Sequence, residues 1–423
     1  MSSSATAPYV ALLLLGAANL VPWMTFLALP DYFAQLYNSN AMEFYFPAVS
    51  TASLVTTMAC LLVFGSQLSF HARIPVPTAC MTVLMLEVPI VDTLVAWGFM
   101  SLDVAFALTL VTVCLNAVLS ATMQNSLYAL ASLIGESATQ GVQTGSGIIG
   151  LISVFLRIAT KLGLAAAPAM WSFCVLGAAI LLASLMAYSV LMNDEGIRDK
   201  VQAQEQRREA ENRTRKVAAR SAQLAEPMLG AAEVGAATSK GQGGAQSDGG
   251  GAAALLMLRT TCIESACVFI VFFVCLSIFP GLTTSLTSTS WHLGSWYPIL
   301  LVAAYNTGDL VGKSLPGMLR VIDSKTLPYC VAAHTLFVPA LLLLSHPSLL
   351  PAVLRSDVVA LAVVLKLGIS TGYIGCMALI LGSERATTNQ AKEVAGMVTS
   401  FSLAMGLACG STSGLVLAQL VSR

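Results

Sequence analysis

The chain has 423 residues, 56% of them hydrophobic and 10% charged, and its 21 basic and 21 acidic side chains cancel. A soluble domain needs far more polar surface than this, and zero net charge gives no electrostatic grip on nucleic acid. The composition is that of a membrane protein; its ten cysteines form no CxxC and pair with no histidine, so they read as small hydrophobes rather than metal ligands.

In chain order, apolar runs long enough to cross about 30 Å of hydrocarbon lie near residues 9–30, 47–69, 78–100, 104–133, 139–163 and 167–192. Five more lie near 255–280, 294–320, 326–345, 357–382 and 393–420. The first run has no basic segment before it and continues through PWMTFLALPDYF without a small-residue cleavage site, so a retained span is expected. The expected fold is an all-α polytopic membrane protein with eleven transmembrane helices. A six-helix bundle would occupy 1–192, a linker 193–254, and a five-helix bundle 255–423.

The linker begins densely charged, as NDEGIRDKVQAQEQRREAENRTRKVAAR, and ends as Gly/Ala low complexity. Its first half can form a solvated helix, its second cannot bury enough to order, and the whole is expected to act as a tether. Phosphorylation at Ser221, Thr238 or Ser247 is the alternative role. Lysine and arginine concentrate on one side of the membrane, chiefly as nine basic residues between Arg198 and Lys240. That bias puts the N-terminus and the linker in the cytosol and the C-terminus outside or in a lumen. The sequon NRT at Asn212 is then expected to stay unglycosylated.

An ionisable residue at a span centre costs about 2.5–3.5 kcal/mol on insertion scales, so it faces protein or water and marks function. Asp309 and Lys313 in AYNTGDLVGKSLP are spaced i, i+4, share one helix face and can neutralise each other. Two readings stand: a structural ion pair locking helices, or a polar solute site at mid-membrane. A phosphate loop is excluded, because Gly308 and Gly312 enclose three residues where a Walker A motif needs four. Glycines at four-residue intervals mark close helix approach: Gly141 and Gly145, Gly308 and Gly312, and Gly406, Gly410 and Gly414.

These segments carry a resemblance. LLGAANLVPWMTFLALPDYF resembles the first span of the equilibrative nucleoside transporters, and ATMQNSLYALASL the fourth. SIFPGL, GSWYPILLVAAYNTGDLVGKSL and GYIGCMALILGSE resemble the seventh, eighth and tenth, and LRIATKLG leans toward the plant and protist branch. The resemblance implies a major-facilitator-like fold with a central cavity that carries nucleosides or nucleobases by alternating access, passively or with protons. It implies that Trp23, Leu20 and Leu27 line the cavity, that Gln124 reads the base edge, and that Asp309 accepts from ribose hydroxyls beside Lys313 and Asn306. Two positions depart from the family pattern. Met24 stands where an asparagine is usual, and Lys313 replaces arginine, which removes a planar fork able to engage a vicinal diol.

Glu87, Asp92 and Glu264 are candidates for proton relay, with ion pairing or water-facing ends as the plainer alternative. Arg157 and Lys161 share a helical face and are expected to snorkel. No metal, cofactor or catalytic constellation is expected, so the chain does not read as an enzyme: His71, His292, His334 and His346 lack ligand spacing. The expected partners are a nucleoside or nucleobase, the lipid bilayer and, as a coupling ion, the proton, around a monomer in the plasma membrane. A major facilitator for a sugar or drug is the alternative.

Overall fold

A computed structural model of the chain describes residues 3–28, 33, 36–37, 41–64, 69–163, 166–229, 249–346, 348 and 350–421. Every regular element among them is helical. The N-terminal set comprises α1 (Ser3–Ala28), α2 (Ala41–Phe64), α3 (Pro75–Ala96), α4 (Leu102–Ile134), α5 (Glu136–Lys161) and α6 (Ala166–Met192). A charged helix, α7 (Glu195–Leu229), follows. The C-terminal set comprises α8 (Gly249–Thr260), α9 (Cys262–Ile278), α10 (Tyr297–Ser314), α11 (Leu327–His334), α12 (Phe337–Leu344), α13 (Asp357–Glu384) and α14 (Asn389–Val421).

Among the described residues, nine helical segments are long and apolar enough to cross a membrane. Of the other two expected spans, the described side chains of α2 form the apolar stretch Val49–Leu62, and the 18 residues of α10 include Asp309 and Lys313. The expected span at 326–345 is broken into α11 and α12, because Pro339 has no N–H to close a turn onto Thr335. Elsewhere local chemistry sets the ends: Ser101 and Ser356 accept from backbone N–H groups to cap α4 and α13. Gly135, at φ 142°, separates α4 from α5.

Large apolar side chains such as Val83, Ile90, Phe155 and Met186 point outward. In hydrocarbon they lose nothing by it, so contact between helices is decided by small residues and polar bonds rather than by burial of grease. α1 packs on α5 and α6, α9 on α14, and α10 on α13; across the seam, α5 meets α10 and both α2 and α4 meet α14. A Cβ on Gly16 would sit 2.1 Å from the Val142 carbonyl oxygen, and one on Gly145 would sit 2.0 Å from that of Leu13. Gly406, Gly410 and Gly414 bring α14 against the backbone of Phe269, Phe273 and Leu276 in the same way. Gly141 makes only ordinary contact with Tyr9 and Leu12.

α7 begins as more than the expected tether. Ile197, Val201 and Gln204 are buried, and Glu205 accepts from the Phe70 N–H at 3.0 Å. Residues 230–248, with Thr238 and Ser247, lie outside the described set, as do the side chains of Asn212 and Ser221. At the same end, the connection after α10 is pinned by Tyr373, whose hydroxyl donates to Leu319 O (2.8 Å) and accepts from Val321 N (3.0 Å). Hydrogen bonds from the Thr326 backbone and hydroxyl hold the Asp323 carboxyl below its ordinary pKa. At the opposite end Asp357 gathers the segment before α10 by accepting from Ser288 Oγ and from Thr289, Ser290 and Trp291 N–H groups.

Candidate functional site

The site is built on α10, whose position follows from what its neighbour lacks. Gly308 and Gly312 face Gly368 and Gly372 of α13, an interlock in which each glycine meets the other helix's backbone. Added Cβ atoms would lie 2.3 Å from Leu365 O, 2.3 Å from Ile369 O, 2.2 Å from Tyr305 O and 2.4 Å from Asp309 O respectively. The sequence reading marked only the first two. Gly368 and Gly372 carry the same four-residue spacing, which was signal enough to find them.

With that face committed to α13, the next face of α10 turns toward the seam. Lys313 Nζ lies 2.7 Å from Asp309 Oδ2, both side chains nearly buried, at 9% and 10% exposure. The ammonium also donates to Ser146 Oγ of α5 at 3.1 Å. Two further α5 side chains grip the end of α10: Thr144 Oγ1 donates to Lys313 O (3.3 Å) and Gln140 Nε2 to Ser314 O (2.8 Å). Asn306 lies against Gly150, where a Cβ would be 2.9 Å from Asn306 Oδ1 and 4.0 Å from Met24 Cε. Charges of the C-terminal set are thus held by hydroxyls and glycines of the N-terminal set.

A second polar pair spans α1 and α4. Asn19 Nδ2 donates to Gln124 Oε1 at 3.3 Å, and Ser120 Oγ donates to Asn19 O at 3.0 Å. With its oxygen engaged, Gln124 presents its amide N–H groups. Asn19 was missed in the sequence, although it stands inside the first-span motif. Leu20 and Trp23 are half-buried on α1, and the side chain of Leu27 lies outside the described residues. Met24, the departure from the family pattern, fills the space beside Asn306 and accepts from Ser153 Oγ at 3.8 Å.

The structure brings none of the three relay candidates to this pair. Glu87 accepts from Thr112 Oγ1 within the N-terminal helices, near Asp92 and Tyr37. Glu264 is buried and paired with Arg385 Nε at 2.8 Å. Lys161 leans on the partner set instead of snorkelling to lipid, its Nζ 4.9 Å from the Trp296 ring and donating to Ser295 O. A recess of about 480 Å³ opens on the flank of α13, not at the pair, and is lined by apolar side chains with Lys366 and Ser370.

Toward the α7 end the two sets are tied across the seam. Arg73 Nη2 lies 3.2 Å from Glu393 Oε1, at 1% and 3% exposure, and Gln204 Nε2 of α7 donates to Glu393 Oε2 at 3.0 Å. Arg320 bridges Glu136 and Glu384, and Ser132 and Ser383 hydroxyls meet at 2.6 Å.

The family model described as Nucleoside transporter matches residues 110–419, which include α5, α10, α13 and all but the last two residues of α14. The chain belongs to the nucleoside transporter family. Equilibrative nucleotide transporter 1 of Arabidopsis thaliana is 27% identical over 95% of this chain and 84% of its own length. Equilibrative nucleoside transporter 4 of Homo sapiens is 28% identical over 95% and 81%. Among solved structures, a major facilitator superfamily proton:xylose symporter matches this nucleoside transporter family chain over 99% of it and 89% of the symporter. Its TM-score is 0.58 at 12% identity, which places the fold as major-facilitator-like. This family member is a multi-pass membrane transporter, not an enzyme.

Proposed function

We propose that the chain moves nucleosides and nucleobases across a membrane by alternating access, with the solute seated where Asp309, Lys313 and Asn306 of α10 meet α1, α4 and α5. The observation that carries this reading is the Asp309–Lys313 pair at 2.7 Å, nearly buried on the seam and bonded to Ser146 across it. A purely structural pair gains little over apolar packing. One shared between two separating sets of helices is where a solute with hydroxyl and amide groups can replace protein partners as the seam opens. Asp309 accepts from ribose hydroxyls, Lys313 donates to solute oxygens, and Gln124 offers its N–H groups to the base. Leu20, Trp23 and Leu27 supply the apolar surface against which the base stacks.

The bundles 1–192 and 255–423 rock about this pair, in a monomer. Solute binding must serve both orientations, since binding that favours one state alone would trap the carrier. The α7 end is cytosolic, the protein sits in the plasma membrane, and breaking the Arg73–Glu393 and Arg320 ties opens the inward path. Glu87 and Asp92, whose polar cluster lies within the N-terminal helices, are the groups that relay a coupled proton.

Labelled uptake of uridine, adenosine, guanosine, adenine and hypoxanthine at two external pH values, with Asp309→Ala alongside, tests the reading. Saturable uptake in the wild type and its loss in a variant still at the cell surface is the expected result. Wild-type-like uptake by Asp309→Ala would make the pair a scaffold. Absence of a glycan at Asn212 tests the orientation.

A further inference from the structure

Gln143 on α5 is 2% exposed, yet its Nε2 has no hydrogen-bond partner. Such an orphan is rare and destabilising, by the full desolvation of the amide, and calls for a reason. The helical geometry of α5 says where it points. Gly141, Val142 and Gly145 face α1, and Gln140, Thr144 and Gly147 face α10. At 100° per residue, Gln143, Ser146 and Gly150 fall within about 60° of one another, on an arc that flanks the α10-facing residues. Ser146 on that arc holds Lys313, and Gly150 touches Asn306 and Met24. Gln143 therefore sits one turn below Ser146 toward the α7 end, on the same seam-facing stripe as the groups proposed to meet the solute.

We infer that Gln143 is a specificity-determining residue whose amide N–H donates to an exocyclic carbonyl oxygen of the transported base. The inference rests on the function proposed above. Its chemistry follows from the inventory: the unpartnered atom is a donor, and Asp309 on the other side of the seat already serves solute hydroxyls. An acceptor on the base is what Gln143 lacks, and the hydrogen bond forms when a solute enters between α1, α5 and α10. Without solute the donor stays unsatisfied, which favours loading over closing empty.

Gln143→Met keeps length and removes the amide, so it relieves the orphan rather than creating one. Uptake of inosine is compared with that of purine riboside, which lacks the 6-carbonyl, and hypoxanthine with purine as the base-only pair. The expected result is a fall of about three- to tenfold in kcat/KM for the two carbonyl-bearing solutes, little change for the two without it, and undiminished surface protein. Gln143→Glu, an acceptor in place of a donor, lowers inosine uptake similarly. An equal fall for all four solutes, or none, overturns the inference while leaving the proposed function intact. Failure of the wild type to move any of them sinks both.

Discussion

Gly372 of α13 lies so close to Asp309 of α10 that an added Cβ would stand 2.4 Å from the Asp309 carbonyl oxygen. The residue bearing the charge is set in place by a side chain that its neighbour does not have. The Cβ position is fixed by the Gly372 backbone and the oxygen it meets belongs to the Asp309 backbone, so no rotamer change relieves the clash. Gly372→Ala is expected to force the helices apart at a cost of about 1–3 kcal/mol, lowering the thermal midpoint of the purified protein and the Asp309-dependent uptake together. A variant with unchanged midpoint would mean that the two helices can slide apart freely.

Asp309→Ala strands the Lys313 ammonium nearly buried, with Ser146 as its remaining side-chain partner. Breaking a buried pair on one side costs about 3–5 kcal/mol, whereas Asp309→Asn with Lys313→Met removes both charges and most of that penalty. Thermal unfolding in detergent should therefore rank the double variant above Asp309→Ala. Uptake should be lost in both, which separates the pair's role in transport from its role in folding.

Lys313→Arg restores the planar fork, and Met24→Asn restores an amide beside Asn306. If ribose is engaged here, the ratio of adenosine to adenine uptake rises in the double variant, read from parallel labelled-uptake curves. An unchanged ratio would place ribose elsewhere.

The Arg73–Glu393 pair is deeply buried, but Arg73 Nε and Nη1 find no acceptor, so the lock is incompletely satisfied and correspondingly easy to release. Gln204→Ala removes the α7 hydrogen bond to Glu393, and a hydrogen bond to a charged group contributes about 1.5–3 kcal/mol. A cysteine placed at Ser132 or Ser383 is expected to label faster with a thiol reagent applied from the α7 side in Gln204→Ala than in the parent. Equal rates would show that α7 only rests against the seam.

Glu136 and Glu384 share Arg320, and the hydrogen bond it donates to Glu384 leads the causes that raise the already high pKa of its guanidinium. Arg320→Gln should leave the Glu136 and Glu384 carboxylates without the cation they share. Labelling from the α7 side is expected to be faster in Arg320→Gln than in the parent, and equal rates would show that this bridge does not hold the seam.

Local chemistry was legible in the chain because it depends on spacing alone. The apolar runs, the Asp309–Lys313 pair four residues apart, and the glycine intervals each follow from helical geometry within one segment, so they could be read before any fold was known. Partner choice between segments was not legible. Arg73 and Glu393 are 320 residues apart, each a charge beside a connection, and nothing in either neighbourhood names the other. The docking of α7 was likewise hidden, because a helix so highly charged reads as solvated on every face until Ile197, Val201 and Gln204 are seen to be covered. Ser146 and Gln143 lie in an unremarkable polar stripe whose meaning depends on α10 standing opposite.

In lipid both sides of a span are apolar, so no hydrophobic period tells which face meets protein. The sequence by itself determined that the chain spans membranes as helices, and which charges and glycines would have to be dealt with inside them. Only the tertiary structure decided which helix answers each one, since close backbone approach and buried hydrogen bonds select partners by shape.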